Sequence, residues 1–194
     1  MTDHRPAGAL HVAVIIGSTR ENRIGGAIGR WFIAEAGQRD DIELDTIDLV
    51  DFDFPARYPD RATPQMARFA AQIGRADAFV VVTPEYNRSF PASLKQAIDY
   101  AYDEWQAKPV GFVSYGSGSD GVYAVEQLRT VFTELHTAAV RDCVRFNLQD
   151  GGFAAAGDPV DVDGARLAAK TMLDQLAWWG LALRDARASR PYVS

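Results

Sequence analysis

The sequence predicts an α/β domain in which a five-stranded parallel sheet carries helices on both faces. Two observations point to it. Short apolar runs rich in Val, Ile and Phe alternate five times with longer stretches of helical period. Most of these runs are apolar throughout, with no polar residue at every second position, as strands buried on both faces require.

Residues 10–16 (LHVAVII) form the first strand: short, β-branched and stopped by Gly17. Residues 24–37 follow as a helix, because Ile24, Ile28, Trp31, Phe32 and Ala36 recur on one helical stripe. Residues 42–49 form the second strand. Pro55, Pro59 and Pro64 frame a loop, and residues 64–73 read as a helix with proline in its first turn. Residues 78–82 (AFVVV) are the third strand, ended by Pro84; residues 92–102 are helical. The fourth strand spans 110–114, and a Gly-rich turn leads into a helix over 122–136. Residues 139–146 are the fifth strand, 149–158 a Gly/Ala loop, and 164–183 the closing helix, in which Leu173, Leu176, Ala177 and Leu181 suggest core packing for Trp178 and Trp179. No repeat, low-complexity block or linker interrupts the pattern. The 194 residues are therefore expected to make one domain, with residues 1–9 flexible.

Right-handed crossovers leave few topologies open. Five strands suit the order 2-1-3-4-5, a flavodoxin-like three-layer sandwich, better than the six-stranded dinucleotide fold. In such sheets a ligand sits beyond the carboxyl ends of the strands, at the switch point between strands 1 and 3. Function is expected in the loops after strands 1, 3 and 4.

Composition narrows the classes. A net charge of −6 lacks the basic footprint that nucleic-acid binding needs. The single cysteine excludes an internal disulfide framework and a Cys-based zinc site. No apolar run reaches the roughly 18 residues of a membrane span. The first residues show neither an apolar core nor a cleavage signature, so a cytoplasmic location is expected. His4, His11 and His136 lack ligand spacing, and no metal site is expected.

The loop after strand 1 reads Gly17-Ser18-Thr19-Arg20-Glu21-Asn22-Arg23 before the helix that starts at Ile24. A helix N-terminus offers unpaired N–H groups, Ser18 and Thr19 add hydroxyls, and Arg20 or Arg23 can bind a phosphate bidentately. An ordinary polar cap with exposed arginines has the same composition. The pattern is not a Walker loop, since GxxxxGK[ST] is absent.

The loop after strand 3 reads Thr83-Pro84-Glu85-Tyr86-Asn87-Arg88-Ser89-Phe90-Pro91. Two prolines stiffen it, Tyr86 supplies an aromatic surface, and backbone donors with the Asn87 amide can pair with a planar heterocycle. The loop after strand 4 carries Tyr115-Gly116-Ser117-Gly118-Ser119-Asp120-Gly121. Its glycines match G-x-G-x-x-G, but the acid expected about 20 residues on is not convincingly supplied, because Asp142 falls early in strand 5. A second Gly-rich wall of the same switch-point site is the better reading.

Gly17-Ser18-Thr19-Arg20 with Arg23, then Pro84-Glu85-Tyr86-Asn87-x-Ser89-x-Pro91 with Leu94-Lys95-x-Ala97-Ile98-Asp99, then Tyr115-Gly116-Ser117, together resemble the NADPH-dependent FMN reductase family, which includes flavin-dependent chromate, quinone and azo reductases. The resemblance runs from about residue 10 to the closing helix. It implies bound FMN, NADPH or NADH as hydride donor, a small-molecule acceptor, and a homodimer or homotetramer. Ser18, Thr19, Arg20, Arg23 and Ile24 would surround the FMN phosphate. Pro84, Glu85, Tyr86, Asn87 and Ser89 would line the isoalloxazine, and Tyr115, Gly116, Ser117 and Gly118 would close its far side. Tyr100 stands where many relatives carry Trp. Residues 57–63 and 149–158 match no part of the pattern.

A flavin-dependent oxidoreductase leaves the hard chemistry to its cofactor, which agrees with the lack of a triad, carboxylate dyad or metal cluster in the sequence. The rivals are a flavodoxin-type electron carrier and a flavin-binding redox regulator, neither turning over NAD(P)H. A receiver-like signalling domain would need acids after strand 1 and at the end of strand 3, where Ser18, Thr19 and Thr83 stand. Other features read as structural: the strand-end acids Asp45, Asp48, Asp51 and Asp53 as a solvated face, Cys143 as a small core residue, and Asp161 and Asp163 as helix-start acids. Tyr102 and Trp105 fit either the core or a subunit interface, and the oligomers that the resemblance implies favour the interface.

Overall fold

The computed structural model describes residues 8–154 and 157–193. Of the segment expected to be flexible, residues 1–7 lie outside the described residues, as do residues 155–156 of the 149–158 loop.

The order of elements is β1 (Leu10–Ile16), α1 (Gly25–Ala36), β2 (Ile42–Asp48), α2 (Pro64–Arg75), β3 (Ala78–Pro84), α3 (Ala92–Ile98), β4 (Pro109–Gly116), α4 (Val122–Glu134), β5 (Ala138–Ala139), β6 (Val144–Asn147) and α5 (Val162–Ser189). The strands pair in parallel in the order β2-β1-β3-β4-β5, with β6 also on β4. The flavodoxin-like arrangement is therefore borne out.

Alternation along the central strands divides the core in two. Val80 and Val82 of β3 face one layer with Ile28 and Phe32 of α1 and Met172 and Leu176 of α5. Phe79 and Val81 face the other with Phe69 of α2, Leu94 of α3 and Leu128 and Phe132 of α4. Both faces are covered, which explains why these strands are apolar at every position. In register, Ile16 lies opposite both Asp48 and Val82, and Pro84 opposite Tyr115. The carboxyl ends of four strands thus meet at one rim.

Several boundaries differ from the sequence reading. β3 runs through Pro84, because a proline as the last strand residue removes only a terminal ladder donor. The fifth strand is split. Three steps along β4, from Val110 to Val113, face five along the edge, from Ala139 to Val144, so after the Val140 N–H donates to the Val110 carbonyl at 2.9 Å, residues 141–143 leave the ladder as an edge bulge. The helix after β3 stops at Ile98, and a one-turn 3-10 helix, Asp103–Trp105, follows.

Two aromatic assignments are corrected. Trp105 is fully buried, its ring against Phe79 and Phe132 and its Nε1 donating to the Ile98 carbonyl at 3.1 Å, so it belongs to the core and to no subunit interface. Trp178 and Trp179 are exposed, as is Leu181. Leu173, Leu176, Ala177 and Gly180 form the buried stripe of α5, and the Trp pair falls outside it.

Candidate functional site

The loops after β1, β3 and β4 line one cleft of about 610 Å³ at the carboxyl rim of the sheet. Ser18, Arg20, Arg23 and Ile24 come from the first, Pro84, Glu85 and Tyr86 from the second, and Tyr115, Gly116 and Ser117 from the third. Leu148, just after β6, and Glu21 and Asn22 also line it. The sequence reading missed Leu148, whose place at the end of the fifth strand was the available signal. Thr19, Asn87, Ser89 and Gly118 lie outside the cleft wall. Thr19 Oγ1 donates to Ser93 Oγ at 3.2 Å, Ser89 Oγ donates to Gln127 Oε1 at 2.6 Å, and the Gly118 N–H donates to Asn147 Oδ1 at 3.1 Å.

One end of the cleft is the start of α1. Ile24 lines the cleft there, and no side chain caps the helix, so its first N–H groups have no side-chain acceptor. Ser18 is buried, and its hydroxyl lies 3.3 Å from the Tyr86 hydroxyl, tying the first loop to the second. Arg20 is exposed, with its guanidinium 5.5 Å from the centre of the Tyr86 ring. Arg23 has another fate. It donates to both Asp48 carboxylate oxygens, at 2.6 and 2.5 Å, and to the Ser18 carbonyl at 2.6 Å. Hydrogen bonding to Asp48 raises its pKa above the ordinary guanidinium value, against the opposing effect of burial. Asp48 is correspondingly no part of a solvated acidic face, although Asp45, half exposed, meets Arg75 in the loose manner expected.

Tyr86 is held by a two-residue hairpin. Its N–H and carbonyl pair with the carbonyl and N–H of Ser89 at 2.8 and 3.0 Å, and Asn87 and Arg88 both have positive φ, 51° and 66°. Two consecutive left-handed residues mark a type I′ turn, which suits Asn better than Arg. The turn presents the Tyr86 ring and leaves Asn87 exposed at its tip.

Tyr115 reaches from the end of β4 beneath the first loop. A Cβ on Gly25 would collide with its hydroxyl, so any larger residue there would have to displace the Tyr115 ring. The hydroxyl is buried and has no hydrogen-bond partner. Burial pushes its pKa well above the usual phenol range; Ser18 opposes this from nearby without completing a hydrogen bond. On the far wall, Gly121 at φ 80° leaves no room for a side chain beside Ser114, which lets the 116–121 turn close over the rim.

An uncapped helix start, an exposed guanidinium, a buried donor lacking an acceptor and an aromatic wall fit a flat ligand carrying a phosphate. Among the described residues no cluster of His, Cys, Asp or Glu could hold a metal ion. Cys143 stands between β5 and β6 with its thiol pKa pushed up by burial, which makes it a poor nucleophile. Asp161 caps α5 through the Gly164 N–H at 2.9 Å, as its sequence position suggested.

The family model for NADPH-dependent FMN reductases matches residues 10–150. The chain belongs to that family. It is 36% identical over 130 residues to an NAD(P)H-dependent FMN reductase of Schizosaccharomyces pombe, a match covering 62% of this chain and 64% of that protein. The chain thus spans less than two thirds of the length of that relative. It is 29% identical over 186 residues to a 2-hydroxy-1,4-benzoquinone reductase of a Burkholderia species, covering 92% of this chain and 99% of that one. Among solved structures, a flavoenzyme NAD(P)H:(acceptor) oxidoreductase from Paracoccus denitrificans superimposes with a TM-score of 0.72 at 24% identity, over 89% of this chain and 97% of that one. That likeness carries the fold.

Proposed function

We propose that this chain is an FMN-dependent NAD(P)H oxidoreductase. The observation that carries the reading is the single cleft lined by three loops distant in sequence, with an uncapped helix start at one end and the Tyr86 ring in its wall. FMN fits both features. Its phosphate suits the start of α1, the Ser18 hydroxyl and Arg20; its ring suits Pro84 and Tyr86, closed by Tyr115, Gly116 and Ser117. When bound, the flavin supplies hydride acceptance from NADPH or NADH and electron delivery to a quinone, azo compound, metal oxyanion or free flavin.

The chain's own part is binding, orientation and electrostatics. Arg20 offsets phosphate charge. Backbone donors of the Gly116–Ser117 turn would stabilise negative charge at the pyrimidine end of a reduced ring. The hairpin 86–89 fixes the aromatic wall so that little ordering remains at binding. The cleft is open to solvent at Arg20 and Ser117, leaving room for a small acceptor. No described helix is long and apolar enough to cross a membrane, and a cytoplasmic location belongs to the same proposal. So does a homodimer or homotetramer, for which the exposed Tyr102 is available.

The test is an absorbance titration of the purified protein with FMN, followed by steady-state NADPH and NADH oxidation with a quinone. Saturable binding and turnover support the reading. A protein that leaves the spectrum of added FMN unperturbed at every concentration would falsify it, and one that binds FMN without oxidising either nicotinamide is an electron carrier.

A further inference from the structure

Arg23, which lines the cleft, is ion-paired through both terminal nitrogens with Asp48, so Asp48 does not belong to a solvated acidic face. Asp48 is the last residue of β2, in register with Ile16 at the end of β1. Its carboxylate is anchored on its own side, since Oδ1 accepts the Val50 N–H at 3.3 Å. Arg23 reaches it with both terminal nitrogens, and one of them also donates to the Ser18 carbonyl. The two side chains are only 15% and 19% exposed. A planar guanidinium held by two carboxylate oxygens has little rotational freedom, so the carbonyl it touches is fixed with it. The bond closes a ring of backbone from Ser18 to Arg23, across Asn22 at φ 53°. Arg20, inside that ring, has no ion-pair partner among the described residues and points over Tyr86.

We propose that Asp48 is a positioning residue for the phosphate end of the cleft: it withholds Arg23 from the ligand, clamps it on the Ser18 carbonyl, and so sets the turn that aims the Ser18 hydroxyl and the start of α1. The inference rests on the reading of the cleft as an FMN site. It goes beyond that reading by assigning the two arginines opposite duties, Arg20 to the ligand and Arg23 to the protein.

Charge and geometry predict opposite signs here, which makes the idea testable. By charge alone, removing a carboxylate near an anion site tightens binding of the anion. By geometry, removing it releases Arg23 and loosens the turn, and binding weakens. Replacing Arg23 by Lys keeps every charge but loses the two-pronged grip, so charge alone predicts no change.

The experiment measures the Kd of apo-protein for FMN by quenching of flavin fluorescence, for the wild type, Asp48→Asn and Arg23→Lys, with circular dichroism and Tm of each apo form. The expected result is a Kd raised about tenfold in both variants, equivalent to about 1.4 kcal/mol, with native spectra retained. Unchanged or tighter binding in either folded variant overturns the proposal. If Asp48→Asn does not fold, Arg23→Lys decides by the same sign. Failure of the wild type to bind FMN would overturn the functional reading and this proposal together, whereas normal wild-type binding with indifferent variants overturns this proposal alone.

Discussion

Glu85, just past the end of β3, accepts the backbone N–H of Tyr123, in the first turn of α4, at 3.0 Å. Gly121 precedes that helix and has no side chain with which to cap it. The cap is supplied by a residue 38 positions earlier, and its negative charge lies at the favourable end of the helix dipole. Glu85 therefore joins two walls of the cleft through the protein itself.

Removing that cap is expected to be felt as stability. Glu85→Ala should cost about 1 kcal/mol, which for a chain of this size lowers Tm by about 2–4 °C. Glu85→Gln keeps an acceptor and should lose less. Calorimetry of the two variants decides: an alanine variant as stable as the wild type leaves the contact without energetic value.

Arg20 is exposed beside the Tyr86 ring, and the proposed reading gives it the FMN phosphate. Arg20→Ala should weaken FMN retention by about 1.5–3 kcal/mol, the range for a hydrogen bond to a charged group. The wild-type affinity should fall with added salt more steeply than that of the variant, because an exposed charge contact is screened. Equal affinities at low salt contradict the phosphate role.

Tyr115→Phe separates ligand binding from folding. Its hydroxyl is buried without a partner, so deleting it should leave apo stability unchanged or raise it by about 1 kcal/mol. If the hydroxyl donates to the bound cofactor, FMN affinity falls about tenfold at the same time. Thermal melts of apo-protein paired with binding isotherms read both effects, and an unchanged isotherm rejects the donor role.

Lys108 should shape the alkaline limb of stability. Its Nζ donates to the Ile73 and Gly74 carbonyls at the end of α2, 3.0 Å each. Burial, and secondarily the Arg187 charge, lower its pKa from 10.5 to about 8. The unfolded chain keeps the ordinary value, so between about 8 and 10.5 it binds more protons than the folded chain and this lysine's contribution to stability rises with pH. Below that window the cost of the buried charge is fully present. Tyr115 and Cys143, both pushed up by burial, act in the opposite direction in alkali. The difference between wild type and Lys108→Met removes their effect. Denaturant melts should show that difference shifting toward the wild type by about 3 kcal/mol across the window; a flat difference contradicts it.

Much of the architecture was legible in the chain. The β-branched runs at 10–16 and 78–82 and the helical stripe of Ile28, Trp31 and Phe32 rest on local periodicity, which burial on both faces of a sheet enforces. The convergence of the loops after β1, β3 and β4 followed from strand order, since the order sets which strand ends are neighbours. The edge was harder. Residues 139–146 have the composition of one strand, but register against β4 admits two short pieces with a bulge between them.

Amino-acid order by itself determined the main strands and the three turns that carry the polar chemistry, because those depend on neighbours within a few residues, and the alternation of strand and helix with right-handed crossovers fixed the order across the sheet. Only the folded molecule decided which of two arginines is tied to a carboxylate, which tryptophans are covered and which helix Glu85 caps. Arg23 meets Asp48 from 25 positions away, and Trp105 disappears among Phe79 and Phe132 while Trp178 stays in water. Such outcomes hinge on which partners the packed chain brings within a few ångströms, and spacing along the backbone holds no record of them.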